Sequence, residues 1–419
     1  MNAACVSAAT LILATSLSAL AQNQPDTPTS LTELLQESQK SNAELSAAEH
    51  AWRAATQVAQ QVTTLPDPQL TVQQFSVGSP KPFAGFTNSD FAYIGFGASQ
   101  VLPYPGKLRL KGEVASRDAQ TQKAQAAELR ASIAQRLKSA YFYLAYLQET
   151  LKVLESTGAT LKHLSDTELA RYRVGQGSQA DVLKAQLEHT KVVREITMHH
   201  AEVAQYQAEL KLLLHRSQES ADIVAEHLSL TSLTYKASEL LSFVESQNPS
   251  VQSERAVLSK RDAQLHSAER AKKPDFNIGY MFQETGSQYR DYYMLTVGVS
   301  LPRRRRVNAE IAEAAEMQEK ARASLDAQLQ QQLSEVQKQY VSATSAAELV
   351  IEYKDGMIPQ AESVFRAHLT AYQSATEELS TVLLSLNDVL NLERDSSQAL
   401  LDHEIAIAHL ETLTGAVLR

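Results

Sequence analysis

From Lys107 to Arg173 the chain runs for 67 residues without a proline and with only two glycines, Gly112 and Gly158. At 1.5 Å per residue, a helix of that length reaches about 100 Å, far more than a globular domain needs. A second run, from Arg303 to about Tyr372, is interrupted only at Gly356 and Pro359. All 419 residues include just 14 Gly and 12 Pro, too few punctuators for many short elements. Ala, Gln, Leu, Glu and Ser dominate, as in long helices and coiled coils.

Each long run ends where the chain can turn back. After the first, Gly175 and Gly177 flank Gln176, and Ser178 and Asp181 follow. Glycine permits the left-handed conformation that closes a helix. Ser178 can cap the next helix, and Asp181 suits its positive end. The pattern predicts the tip of a helical hairpin, with a return helix over 179–216. The second run ends in a short polar break after Tyr372, with a return helix over 379–413.

Ahead of each long run the hydrophobic period changes from helical to alternating. Gln69 to Phe75 and Phe91 to Val101 read as two strands, joined by a loop containing Gly78, Pro80, Pro82 and Gly85 and closed by Pro103 and Pro105-Gly106. In the second strand Ala92, Ile94, Phe96 and Ala98 alternate with Phe91, Tyr93, Gly95, Gly97 and Ser99. Asp275 to Gln283 and Tyr293 to Leu301 repeat the pair more clearly, with Phe276, Ile278, Tyr280 and Phe282 in one strand and Leu295, Val297 and Val299 in the other. Leu31 to Val62 reads as one helix, and Ala237 to Lys273 as a helix broken at Asn248-Pro249. Residues 217–236 read as irregular.

The two halves superpose. Pro66-Asp67 matches Pro274-Asp275, Pro103 matches Pro302, and Tyr172 matches Tyr372. The order helix, strand, strand, very long helix, turn, helix occurs twice, and a repeat of this size sets the architecture. The chain divides into residues 1–21, a first repeat over 22–235 and a second over 236–419. Residues 1–21 read as a signal peptide. Val6 to Leu20 is apolar or small, and Ala19-Leu20-Ala21 suits cleavage. Removal would take Cys5, the only cysteine, and leave a thiol-free exported protein.

Four strands of this length can cross an outer membrane when tilted, with one face to lipid and one to water. They cannot close a barrel alone, and open edges are not tolerated in lipid. Three copies would give 12 strands; two would give eight and leave little lumen. The expected fold is mainly α with membrane β: a trimeric 12-stranded barrel continued by a long α-helical periplasmic tunnel.

Three stretches carry a family resemblance: Tyr172-Arg173-Val174-Gly175-x-Gly177-Ser178-x-x-Asp181-Val182-Leu183-x-Ala185-Gln186, Leu102-Pro103-Tyr104-Pro105-Gly106-Lys107, and Val297-Gly298-Val299-Ser300-Leu301-Pro302. With the duplication, they resemble the TolC-like outer-membrane efflux protein family across essentially all of the mature chain. The Pro-Tyr-Pro-Gly-Lys junction is most similar to its heavy-metal branch. The resemblance implies a homotrimer in the outer membrane of a Gram-negative bacterium, extending into the periplasm. It also implies docking to a periplasmic adaptor and through it to an inner-membrane pump, proton-driven by expectation. The implied function is a passive exit duct for small solutes, metal ions or drugs. A type I protein-secretion duct shares the fold. A periplasmic coiled-coil adaptor is the third reading, although adaptors lack membrane-type strand pairs before each hairpin.

The resemblance also assigns residues. Val174, Gly175, Gln176, Gly177 and Ser178 would form the adaptor-docking tip. Asp181 and Tyr372 would gate the entrance, joined by a hydrogen bond when closed. The second tip departs from the family pattern, with Ala375 where a glycine is usual and Thr381 and Leu384 where acids often narrow the lumen. Glu377 and Glu378 could supply that charge, or simply favour a helix N-terminus. Basic residues Lys107, Arg109, Lys111 and Arg303 to Arg306, where barrel meets tunnel, could contact outer-membrane lipid phosphates.

Other chemistries are poorly supported. A net charge of −9 argues against nucleic acid. The eleven histidines form no metal-binding spacing, and no catalytic set, phosphate loop or cofactor motif stands out. No enzyme activity, metal or cofactor is expected.

Overall fold

The structure is a computed structural model and describes residues 28–75, 92–285 and 291–418. The signal-peptide segment, Phe91, the loop containing Gly78 to Gly85 and part of the loop after Glu284 lie outside the described residues. Within them the duplicated order is present. The first repeat comprises α1 (Leu31–Ser41), α2 (Ala43–Thr63), β1 (Gln69–Phe75), β2 (Tyr93–Leu102), α3 (Lys107–Arg173) and α4 (Gln179–Leu213). The second comprises α5 (Ala237–Gln247), α6 (Pro249–Arg270), β3 (Asp275–Glu284), β4 (Tyr292–Ser300), α7 (Arg304–Glu352), α8 (Ile358–Gln373) and α9 (Leu379–Thr414). A π-helical turn over Tyr353–Met357 joins α7 to α8. It absorbs the interruption expected from Gly356 and from Pro359, which has no N–H to donate.

The four strands form one antiparallel sheet in chain order, β1-β2-β3-β4. The β2–β3 pair joins the two repeats, from Ile94↔Glu284 to Leu102↔Phe276. The helices attached to the strands keep the same lateral order, with α2 packed on α3, α3 on α6 and α6 on α7. The wall begun by the sheet therefore continues as a layer of helices.

Apolar contacts occur as stations along this length. Near the middle, Leu34, Leu137, Leu144, Leu210, Leu213 and Ile223 pack together. Leu240, Val251, Val336, Ile407 and Leu410 form the second repeat's counterpart. Towards the tips, Leu154, Leu161, Val192, Val382 and Leu386 join α3, α4 and α9.

One expectation fails: residues 31–62 are not a single helix. The chain breaks at Asn42, whose φ and ψ are extended. Asn42 Oδ1 accepts from the N–H groups of Glu44 and Leu45, capping α2, while Nδ2 donates to Leu213 O at 3.0 Å. Asn248 repeats the device in the second half. It accepts from Val251 N–H and donates to Leu413 O at 2.7 Å. In each repeat one buried asparagine starts a helix and ties it to the end of the return helix.

Residues 214–236 cross the bundle without regular secondary structure and are held by side chains. The buried Lys211 ammonium donates to Gln218 O, Ser220 O and Asp222 Oδ1 at 2.8–3.1 Å. Arg216 makes a two-pronged contact with Glu37. That guanidinium, by hydrogen bonding and by charge, outweighs burial and holds the Glu37 carboxyl below its ordinary value. A carboxyl depressed in the fold stabilises it above the unfolded pKa, and the contribution is lost as pH falls through the folded value. The wild type should therefore lose thermal stability below about pH 4.5 more steeply than Glu37→Gln, while the variant is weaker near neutrality. Equal acid limbs in thermal melts would contradict this.

Candidate functional site

The sheet has two chemically different faces, and its register decides them. Residues paired across strands share a face. One row reads Leu70, Ala98, Tyr280, Leu295, and the next Val72, Phe96, Phe282, Tyr293. Ile278 pairs with Val297, and Phe276 lies between Leu102 and Val299. The opposite face carries Gln69, Ser99, Gly279 and Thr296 in one row, with Asn277 and Gly298, then Asp275 and Ser300, on the helix side of it. Towards the other end Met281 pairs with Met294 and Phe75 with Tyr93, so this face is the more polar of the two chiefly near the helices.

The apolar face is not covered by the chain: Leu70 is 84% exposed and Val297 64%. A contiguous exposed apolar face of this extent marks an interface with membrane or protein. β1 and β4 each pair on one side only, so both outer edges offer unpaired backbone groups. Among the described residues no helix is long and apolar enough to cross a membrane.

At the far end, α3 and α4 meet at the first tip. Gly175 has φ +76°, and the N–H groups of Gly175 and Gln176 return to Tyr172 O and Arg171 O. This is the Schellman closure expected from the glycines. Ser178 caps α4, accepting from Asp181 N–H at 3.1 Å, and its hydroxyl donates to Asp181 Oδ2 at 2.6 Å. Val174, Gly175, Gln176 and Ser178 are exposed and Gly177 is half-buried. The residues expected at the tip are thus together at its surface.

The second tip has the same closure without a glycine. Ala375 and Thr376 donate to Tyr372 O and Ala371 O, and Ala375 takes φ +55°. An alanine in the left-handed region costs roughly 1–2 kcal/mol. Ala375→Gly should relieve about 1 kcal/mol of this and raise the melting temperature, while Gly175→Ala should lower it by a similar amount. A fall in melting temperature for Ala375→Gly would refute that assignment.

The expected Asp181–Tyr372 hydrogen bond is not formed within one chain. Asp181 is engaged by Ser178, and the buried Tyr372 hydroxyl has no hydrogen-bond partner. At Tyr372 the contact between the hairpins is made by Arg171, whose guanidinium lies 5.1 Å from the centre of the ring, a cation–π distance. Arg171 Nη1 also lies 3.6 Å from Glu168 Oε1. Glu168 is only 2% exposed, and burial, with Asp181 nearby, raises its pKa against the opposing pull of Arg171.

The sequence reading missed Glu168 and Arg171, although a signal existed. Leu154, Leu161, Ser165 and Glu168 recur at helical spacing on the buried side of α3, and a carboxylate in such a seam stands out. Glu377 faces His368 at 3.4 Å, and Glu378 occupies the N-cap of α9, where the Ser380 hydroxyl donates to it. Among the described residues no group of three or more His, Cys, Asp or Glu could hold a metal ion.

Comparison with known proteins supports the same architecture. The profile of the outer membrane efflux protein family matches residues 34–215. No curated protein matches the chain. Three solved structures superpose on nearly its whole length. The outer-membrane channel OprN is 18% identical, with TM-score 0.78, covering 93% of this chain and 91% of its own. The outer membrane protein VceC of Vibrio cholerae is 17% identical, with TM-score 0.78 and coverage of 93% and 97%. The CmeC outer membrane channel of Campylobacter jejuni is 12% identical, with TM-score 0.78 and coverage of 100% and 95%. The chain therefore matches the outer membrane efflux protein family over residues 34–215 and has, over nearly all of its length, the fold shared by OprN, VceC and CmeC.

Proposed function

We propose that the chain is the outer-membrane exit duct of an efflux pump. The observation that carries this is the sheet, with an exposed apolar face, a polar face opposite, and two unpaired edges. In lipid such a sheet must close, and one chain supplies only four strands. Three copies close a 12-stranded barrel, polar face inward, and the helical layer prolongs its wall into the periplasm as a tunnel. The duct lies in the outer membrane and conducts passively.

Transport then needs an energised partner. In this reading a periplasmic adaptor docks on Val174 to Ser178 and links the tunnel to an inner-membrane pump driven by protons. The Arg171–Tyr372 contact, with Glu168 and Asp181 beside it, holds the two hairpins of a protomer together at the entrance. The solutes are small, metal ions or drugs. The membrane-type sheet disfavours a periplasmic adaptor, and the family match favours efflux over type I secretion.

The test is a deletion strain complemented with the wild-type gene. The protein should fractionate with the outer membrane. Deletion should raise intracellular accumulation of copper, zinc, cobalt or hydrophobic dyes, and complementation should reverse it. A soluble periplasmic protein, or unchanged accumulation across the panel, would contradict the reading.

A further inference from the structure

Where sheet meets helices there is a cavity of about 620 Å³ lined by four cations, Lys107 and Lys111 from α3 and Arg303 and Arg306 at the start of α7. Two carboxylates share it. Asp275 Oδ1 accepts from Lys107 Nζ at 2.9 Å, and Glu310 pairs with Arg306. Lys111 and Arg303 have neither an ion pair nor a hydrogen bond among the described residues. The Lys111 charge acts, with that of Lys107, on the Asp275 carboxylate, and the lining still carries four cations against two carboxylates in each protomer. The helix ends add to this. α3 and α7 both begin here, neither has a side-chain cap, and neither has an acid in its first turn. Basic residues at the positive ends of two helices are unfavourable unless an anion is near.

The register shows which side of the wall this cavity faces. Asp275 and Ser300, both in its lining, pair with each other on the polar face, whereas the adjacent Phe276 and Val299 pair on the apolar face. Leu301, just past β4, borders the cavity from the other alternation, but the cations reach the sheet on the polar side, where Lys107 meets Asp275. In that orientation Lys107, Lys111, Arg303 and Arg306 would meet solutes in the lumen instead of the lipid phosphates expected from the sequence. Arg109, which with Arg304 and Arg305 is absent from the cavity lining, lies 3.9 Å from Glu113.

We infer that Lys111 and Arg303, with their paired neighbours, form a collar that attracts soluble anions, carboxylate- or phosphoryl-bearing solutes, at the tunnel–barrel junction. The inference rests on the channel reading, because only closure of the sheet turns its polar face into a lumen. A ring of cationic side chains in a pore selects by charge, and weak binding lets the ion leave. Repeated by each copy, the collar would raise the local concentration of anions late in the path.

The experiment uses purified full-length protein in planar bilayers of neutral phosphatidylcholine. Reversal potentials in a KCl gradient should give a chloride-to-potassium permeability ratio that falls about threefold or more in Lys111→Gln/Arg303→Gln. Millimolar inorganic phosphate should reduce wild-type single-channel current and leave the variant's nearly unchanged. If the double variant does not assemble, phosphate block of the wild type, set against an equal concentration of a neutral sugar, still decides: no difference refutes the collar. A permeability ratio unaffected by the substitutions refutes it too, as would occur if a carboxylate of a neighbouring copy neutralised Arg303. If phosphatidylglycerol in the bilayer abolishes the block, the ligand is a lipid headgroup and the inference fails. A wild-type protein that forms no pore overturns the channel reading, and the collar with it.

Discussion

Val297→Lys should abolish assembly in the outer membrane, while Thr296→Lys, one residue earlier in the same strand, should assemble normally. Both side chains are exposed on the single chain, so a soluble protein would tolerate either. The register separates them: Val297 shares its face with Ile278, and Thr296 shares the other with Gly279. A lysine on the lipid face near the bilayer midplane costs about 2–4 kcal/mol, and closure by identical copies incurs that cost in each. On the lumen side the ammonium stays hydrated. The readout is the heat-modifiable oligomer in outer-membrane fractions. Equal levels of the two variants would mean that the apolar face does not meet lipid.

Val174→Glu should abolish efflux without disturbing assembly. Val174 is 69% exposed at the first tip and closes no buried contact there, so its loss has little reason to unfold the hairpin. If the adaptor packs on this tip, burying a carboxylate against it should weaken the complex by about 2 kcal/mol, roughly thirtyfold in affinity. Ser374 holds the corresponding place in the second tip, after Tyr372 and before the strained Ala375. Ser374→Glu is expected to have the smaller effect. Substrate accumulation in cells with normal levels of the assembled protein compares them. Wild-type efflux by Val174→Glu would remove the first tip as the docking surface.

The sequence carried the long-range plan because the plan is repetitive. One proline-free run, a second interrupted only at Gly356 and Pro359, and two alternating strand pairs place α3, β3 and β4 within a residue or two of where they lie. The break at Asn248 was visible because Pro249 follows it. The equivalent break at Asn42 was not, because its neighbours are all compatible with helix and the kink is made by hydrogen bonds to the distant Leu213 carbonyl. The first tip was legible through Gly175, whose left-handed backbone needs little else. The second closes through the same backbone bonds with Ala375, which takes the left-handed conformation without the glycine that would have signalled it. The contacts between hairpins were the least legible. Resemblance pointed to Asp181 and Tyr372, yet Ser178 is nearer in sequence and takes the Asp181 carboxylate. Arg171 reaches Tyr372 only because α3 and α8 come together in three dimensions.

The central claim is that one chain supplies a third of a closed membrane barrel. The most direct test is the native mass of the particle extracted from outer membranes in mild detergent. Three copies of the chain, shifting to one on heating, is the result that four strands per copy and a 12-stranded barrel require. A monomeric native particle would leave the edges of β1 and β4 open in lipid and would contradict the account.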